Sequence, residues 1–352
     1  TMNRRPEMDA LAAAKKRQYI RRKKRVRILV TLLLVLTIIA VWTLVIVIGV
    51  RLFGSGKPSE SGETTPVSVL ETTPAPPVTS APPVDVQTEI IRLPKADLAK
   101  GDLILVSTLL QRAYSFPEGD DGLIALYGNK SASYRISSTA LRLKKTVVEA
   151  LNEMFDAYFA ETGNRDYQIT QAYRTYDDQK SIYDSYQETY GAEQGALLAA
   201  LPGYSEHHTG YAFDMNVYTA AGVSYSLAAA EQADPIYGWI YDNAAKYGFV
   251  LRYPEAKTSV TGITDEPWHF RYVGRGHAAY MTENDLTLEE YIALLYQYPA
   301  DGKHLTFSYD GIHYEVYYAG ANGEETEVEV PSDAMYTVSG NNWDGFIVTI
   351  IR

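Results

Sequence analysis

The pattern of apolar and polar positions divides the chain into stretches of different physical character. Ile28 to Val50 is a run of 23 residues without a formal charge. Roughly 20 apolar residues in a helix cross a bilayer core, so this run predicts a transmembrane helix. It is long for a signal-peptide core and no A-x-A pattern follows it, which favours an anchor that stays uncleaved. Residues 54–88 hold 7 of the chain's 16 prolines among many Ser and Thr. Such a composition cannot bury a core and predicts an extended linker, with a reach of about 110 Å at ~3.1 Å per residue.

Regular periodicity begins near Ile90. Leu103–Val106 (LILV) reads as a short strand. Over residues 139–162, Leu143, Val147, Leu151, Met154 and Tyr158 recur at helical spacing, and Gly163 follows as a stop. A second helix is expected from about Asp177 through Ile182 and Tyr186. A third has Asp234 as cap, Pro235 in its first turn, Ile236, Ile240 and Tyr247 on one face, and Gly248 as its end. Short β-prone runs lie between them at Tyr167–Ala172, Tyr211–Val217, Phe249–Tyr253 and His269–Val273. This is an α+β pattern: a small antiparallel sheet with flanking helices.

After a helix near Leu288–Tyr296 the pattern changes to alternation. Residues 304–351 read as strands LTFSY, IHYEVYY, TEVEV, MYTV and GFIVTII, with turns at Asp310-Gly311 and Asn322-Gly323. The expected organisation is a basic tail over 1–27, a transmembrane helix over 28–50, a linker over 54–88, the α+β domain over 90–297 and a separate all-β module over 300–352. The partner of that module, if it has one, is not readable from its residues.

Charge gives the anchor a direction. Up to Phe53 the chain carries 12 basic and 2 acidic residues; beyond it the counts are 20 and 41. Arg21, Arg22, Lys23, Lys24, Arg25 and Arg27 crowd the near side of the apolar run. The positive-inside rule places the N-terminus in the cytoplasm and the acidic body outside. The body's negative charge also argues against nucleic acid as a partner, since phosphates would be repelled. There is no cysteine, so disulfides and thiolate metal sites are excluded, and any metal must be held by His, Asp or Glu.

Two clusters could supply such a site. One is Ser205-Glu206-His207-His208-Thr209-Gly210-Tyr211-Ala212-Phe213-Asp214, the other Glu266-Pro267-Trp268-His269-Phe270-Arg271-Tyr272. A catalytic zinc takes about three protein ligands and keeps one position open for water, and it needs a base that does not ligate it. A His, an Asp and a second His would make three, and a Glu three residues before a ligand His serves as base if the turn between them is tight. The helical H-E-x-x-H signature is absent. Spacing alone does not choose between His207 and His208, and an isolated His–Asp pair is more often structural than metal-binding. Trp268 reads as packing beneath the site, and Arg252 and Lys257 as solvated cations that a substrate carboxylate could meet.

The motif S-E-H-H-T-G-Y-A-F-D, followed by E-P-W-H-F-R-Y-V-G, closely resembles the VanY-type zinc D-alanyl-D-alanine carboxypeptidases. These belong to the LAS metallopeptidases, with lysostaphin-like enzymes and hedgehog domains. The family patterns S-x-H-x-x-G-x-A-x-D and E-x-W-H are both met, and an upstream element Y-R-[ST]-Y-x-x-Q is matched by Tyr173 to Gln179. The resemblance spans roughly residues 95–297. It implies that His207, Asp214 and His269 bind Zn2+, that Glu266 is the catalytic base and proton donor, and that Arg174 steadies the substrate carbonyl. It further implies that Gln179 and Ser205 contact substrate, a peptidoglycan stem peptide losing its terminal D-Ala. His277, His304 and His313 are then packing or surface residues. With the anchor and linker, the expected location is the cell membrane, single-pass, with the catalytic domain outside, on the wall side of a Gram-positive cell. A related peptidoglycan endopeptidase, or a non-catalytic wall-binding protein on the same fold, is the alternative.

Overall fold

The computed structural model describes residues 87–117 and 122–352. The expected tail, transmembrane helix and nearly all of the linker lie outside these residues. Among the described residues no helix is long and apolar enough to cross a membrane.

The sheet that carries the site is built in the strand order Arg135–Ile136, Tyr167–Gln171, Ala212–Tyr218, His269–Tyr272, Phe249–Leu251, with Ser224–Tyr225 also pairing Ala212–Tyr218. Only the first of these pairings is parallel. Ala212–Tyr218 is central, and its alternation sorts its side chains. Phe213, Met215 and Val217 are buried in the apolar cluster beneath the sheet. Successive strand residues face opposite sides, so Asp214 emerges on the other face. A bulge between Ile169 and Gln171 sets Gln171 opposite Asp214.

The helix Lys145–Thr162 covers the apolar face. Val147, Val148, Leu151, Met154, Phe155 and Tyr158 are among its buried residues, and Gly163 ends it in the left-handed conformation at φ 69°, where a Cβ would be strained. Its start differs from the expectation at residue 139. Arg142–Lys144 is a strand paired with Leu123–Ala125, so Leu143 belongs to that strand although it fits the helical period. The second helix, Tyr176–Tyr190, begins with a capping box between Thr175 and Asp178, which satisfies two otherwise orphaned amides. The third expected helix has the anticipated start and stop but not a uniform interior. Asp234 caps Ile236, and a 3-10 turn Pro235–Gly238, an α segment Trp239–Asn243 and a second 3-10 turn Ala244–Tyr247 follow one another up to Gly248.

Leu103–Val106 is buried but is not a strand of any sheet. Scattered partners take up its backbone instead: Leu103 N donates to Ser339 Oγ and Leu105 N to Asn341 O, and the carbonyls of Ile104 and Leu105 accept from Arg271 and Asn342. The backbone groups find partners without a ladder, which apolar periodicity cannot foresee.

The C-terminal strands appear where the alternation puts them, in the order Leu305–Tyr309, Ile312–Gly320, Gly345–Ile351, Met335–Gly340. They share an apolar cluster with the rest of the body. Leu305, Val316 and Ile347 pack with Leu103, Leu105, Met281, Tyr291 and Ile292. The first strand, Thr88–Pro94, pairs antiparallel with Glu325–Pro331. The start of the body is thus stitched to its end, and the described residues fall in one compact unit.

Candidate active site

The site lies on the sheet face opposite the main helix. His207 sits in a 3-10 turn, Glu206–Thr209, closed by Gly210 at φ 72°. A Cβ on Gly210 would lie 2.5 Å from Leu123, so the turn needs glycine for its conformation and for its close packing. This turn leads directly into the strand that bears Asp214. Asp214 and His269 are register partners on adjacent strands, which places their side chains on the same face. Glu266 stands before His269, and His269 N donates to Glu266 O at 3.0 Å. That is the tight turn required of a Glu three residues before a ligand.

His207, Asp214 and His269 each turn one potential ligand atom into a common point, all within 4.8 Å of one another. The nitrogens involved differ. His207 Nδ1 lies 2.7 Å from Ala172 O. A carbonyl only accepts, so Nδ1 carries the proton and Nε2 keeps its lone pair, buried, without a hydrogen-bond partner among the described residues and 3.4 Å from Asp214 Oδ1. His269 presents Nδ1, 2.9 Å from the same oxygen. A buried imidazole nitrogen with a free lone pair beside a carboxylate and a second imidazole is the donor set that Zn2+ takes without thiolates, so the residues fit the metal.

His208 is excluded by its partners. Its Nδ1 donates to Arg174 O at 2.8 Å and its Nε2 accepts from Gly203 N at 3.1 Å. Both nitrogens are committed to backbone.

The electrostatics are set by burial and close charges. Burial opposes ionisation of Asp214, but His207 and His269 outweigh it and hold the carboxyl well below its ordinary range. Burial pushes His207 down to about 4, with Arg174 adding to the effect. Burial acts the same way on His269, yet the Asp214 and Glu206 carboxylates bring it up to about 9. Glu266, 3.7 Å from His269 Nδ1, is pushed up to about 7, first by burial and then by Asp214, with His269 and Arg174 opposing.

Arg174 reaches the site from the turn after Tyr167–Gln171. Its Nη1 donates to Gln179 Oε1 at 2.7 Å and its Nη2 lies 3.4 Å from Asp214 Oδ2, while Nε is buried without a hydrogen-bond partner among the described residues. Gln179 donates in turn to Ala200 O at 2.8 Å. Its amide is thus spent on bracing Arg174 and the loop at Ala200. Ser205 is buried on the wall of the same cavity, a space of roughly 360 Å³ whose rim includes Tyr186, Leu198 and Trp268. Trp268 is 37% exposed, so it lines the mouth and does not pack beneath the site.

Arg252 is not a solvated cation. Fully buried, it pairs with Glu206 through Nε at 2.8 Å and with Glu289 through both terminal nitrogens at 2.8 and 2.6 Å. Lys257 pairs with Asp285 and Glu290. His277 is buried between Tyr291 and Thr349, and His304 pairs with Glu315. Sequence reading missed Glu206 and Arg271, whose Nη1 meets Glu206 Oε1 at 3.1 Å. The available signal was their position: a carboxylate directly beside the candidate ligand His207, and an arginine in the apolar strand that carries His269.

A family model described as VanY, D-alanyl-D-alanine carboxypeptidase, matches residues 140–275. A D-alanyl-D-alanine carboxypeptidase of Enterococcus faecium is 34% identical over 251 residues, covering 71% of this chain and 75% of that protein. The chain belongs to the VanY-type D-alanyl-D-alanine carboxypeptidases. A bifunctional D-Ala-D-Ala dipeptidase and carboxypeptidase of Enterococcus gallinarum, VanXYC, is 38% identical over 136 residues, 36% of this chain and 66% of that one. Among solved structures, the vancomycin resistance D,D-dipeptidase VanXYg, in complex with a D-Ala-D-Ala phosphinate analogue, aligns with a TM-score of 0.62 at 29% identity. It covers 76% of this chain and 100% of its own. The mixed α+β fold is therefore that of this D,D-dipeptidase.

Proposed function

We propose that this chain is a zinc-dependent carboxypeptidase that removes the terminal D-Ala from D-Ala-D-Ala-ending peptidoglycan stem peptides. The observation that carries the reading is the convergence of His207 Nε2, Asp214 and His269 Nδ1 beside Glu266 in an open cavity. These three side chains would hold the metal. When bound, zinc supplies Lewis acidity and lowers the pKa of its water.

The chain's own residues then have separate tasks. Glu266 takes a proton from the attacking water and later gives it to the leaving amine, a role suited to a carboxyl whose pKa burial has brought near neutrality. Arg174, braced by Gln179 and with its buried Nε unspent, donates to the substrate oxygen on which charge develops. Ser205 lies on the cavity wall within reach of a bound peptide.

Mass spectrometry of defined pentapeptide muropeptides incubated with the zinc-loaded protein tests the proposal. Loss of one D-Ala, abolished by chelator, is expected; cleavage inside the stem peptide instead would make the chain an endopeptidase, and no cleavage a non-catalytic binder. The likeness to a D,D-dipeptidase favours one second reading, hydrolysis of free D-Ala-D-Ala, which the dipeptide as sole substrate would expose.

The basic N-terminal tail, the 23-residue uncharged run and the Pro-rich stretch support a membrane anchor that holds this activity outside the cell. Protease added to intact cells would then degrade the body and spare the N-terminal tail.

A further inference from the structure

Behind His269, on the side away from the proposed metal, lies a buried charge network. Glu206 receives Arg252 Nε at 2.8 Å and Arg271 Nη1 at 3.1 Å, and both land on the same oxygen, Oε1. Arg271 is also held by the carbonyls of Asp102 and Ile104, and Arg252 by both oxygens of Glu289. Glu206 is therefore pinned in place through one oxygen only. Its other oxygen, Oε2, is buried and has no hydrogen-bond partner among the described residues. The same is true of His269 Nε2. The two orphans face each other at 3.6 Å.

A counter-ion for two arginines has no reason to keep one oxygen free and aimed at an imidazole. A carboxylate that fixes a metal-ligating imidazole does. His207 already has the equivalent partner, since Ala172 O takes its Nδ1–H. We propose that Glu206 is a positioning residue for His269: Oε2 accepts the Nε2–H and so leaves Nδ1 as the nitrogen turned to the metal. The network then reaches from Glu289, in the helix Leu288–Leu295, through Arg252 and Glu206 to the metal ligand. This inference rests on the proposed zinc site of His207, Asp214 and His269.

The test uses the full-length protein, stripped of metal and titrated with zinc against a chromophoric chelator. Glu206→Asp keeps the charge that Arg252 and Arg271 need but withdraws the carboxylate from His269, and Glu206→Gln removes the charge. Both are expected to weaken zinc binding by ~10–100-fold. Glu289→Gln, which disturbs the same network without facing His269, is expected to lower Tm and leave zinc affinity where it was. Glu206 variants that hold zinc as tightly as wild type would overturn the proposal, as would an equal weakening in Glu289→Gln. Should the variants fail to fold, the wild type carries its own signature. Long-range proton–nitrogen spectra of the zinc-loaded protein, labelled at histidine, should show His269 protonated on Nε2 and His207 on Nδ1. The reverse tautomer at His269 would sink the idea. A wild type that takes up no zinc would overturn the site itself; one that binds zinc normally while the variants do too would overturn only the role of Glu206.

Discussion

His207 and His269 meet edge to face, ring centroids 4.9 Å apart at 85°, and offer different nitrogens to the oxygen between them. Nε2 of His207 lies 3.4 Å from Asp214 Oδ1 and Nδ1 of His269 lies 2.9 Å from it. The difference follows from where each ring is anchored. His207 is tied through Nδ1 to a strand-end carbonyl, whereas His269 has its Nε2 toward the buried carboxylate of Glu206.

The neighbouring pair His207 and His208 gives a sharp contrast in metal content. His207→Ala removes the buried lone pair, so zinc measured by elemental analysis after dialysis should fall far below stoichiometric. His208→Gln should retain zinc and lose stability, because it breaks hydrogen bonds to Arg174 O and Gly203 N, each worth about 0.5–1.5 kcal/mol. Zinc lost from the His208 variant and kept in the other would reverse the assignment.

Glu266 is set apart from the ligands by function. Glu266→Ala should keep zinc and lose turnover by ~10²–10⁴-fold, the usual scale for a positioned acid–base group. Release of D-Ala under saturating substrate is the readout, and full activity in that variant would remove Glu266 from the mechanism.

Arg174 and Gln179 should behave as a coupled pair. Arg174→Ala is expected to lower kcat by ~10²–10³-fold, the scale for losing one donor to a developing oxyanion. Gln179→Ala should act in the same direction but less, since Asp214 still orients the guanidinium. In the double variant the losses should not multiply, because Gln179 has nothing left to brace. Multiplicative losses would give Gln179 an independent contact with substrate.

What could be read from the sequence followed physical scale. Short-range signals were legible: the Asp310-Gly311 turn, the cap at Asp234 and the stop at Gly163 all stand where their chemistry puts them. The α+β class was legible because apolar periodicity is a local pattern, whereas the candidate ligand set came only through the family motifs that the chain resembles. The partners of those residues were not legible. Nothing in the spacing of His207 and His208 shows that one ring faces a cavity and the other two backbone groups. Nor could Arg252 be recognised as buried, since Glu289, its bidentate partner, is 37 residues away. Leu103–Val106 failed as a strand for the same reason, its backbone partners being Arg271, Ser339, Asn341 and Asn342.

His277 should make stability depend on pH. It is buried between Tyr291 Oη at 2.8 Å and Thr349 Oγ1 at 3.0 Å, at the seam between the catalytic body and the last strand. Burial pushes its pKa down from 6.5 to about 4. Below pH 6.5 the unfolded chain binds a proton there that the folded chain refuses. Stability from this group is therefore complete above about pH 6.5, declines as pH falls, and is lost by about pH 4. At 1.36 kcal/mol per pKa unit the loss is about 3 kcal/mol. The measurement is urea unfolding of metal-free protein near neutrality and near the lower limit of that window, for wild type and His277→Gln. Metal-free protein removes zinc release from the comparison, and His207, whose pKa is also depressed by burial, contributes equally to both. Wild type should lose about 3 kcal/mol more than the variant across the window. Equal losses would show that His277 accepts its proton without opening the seam.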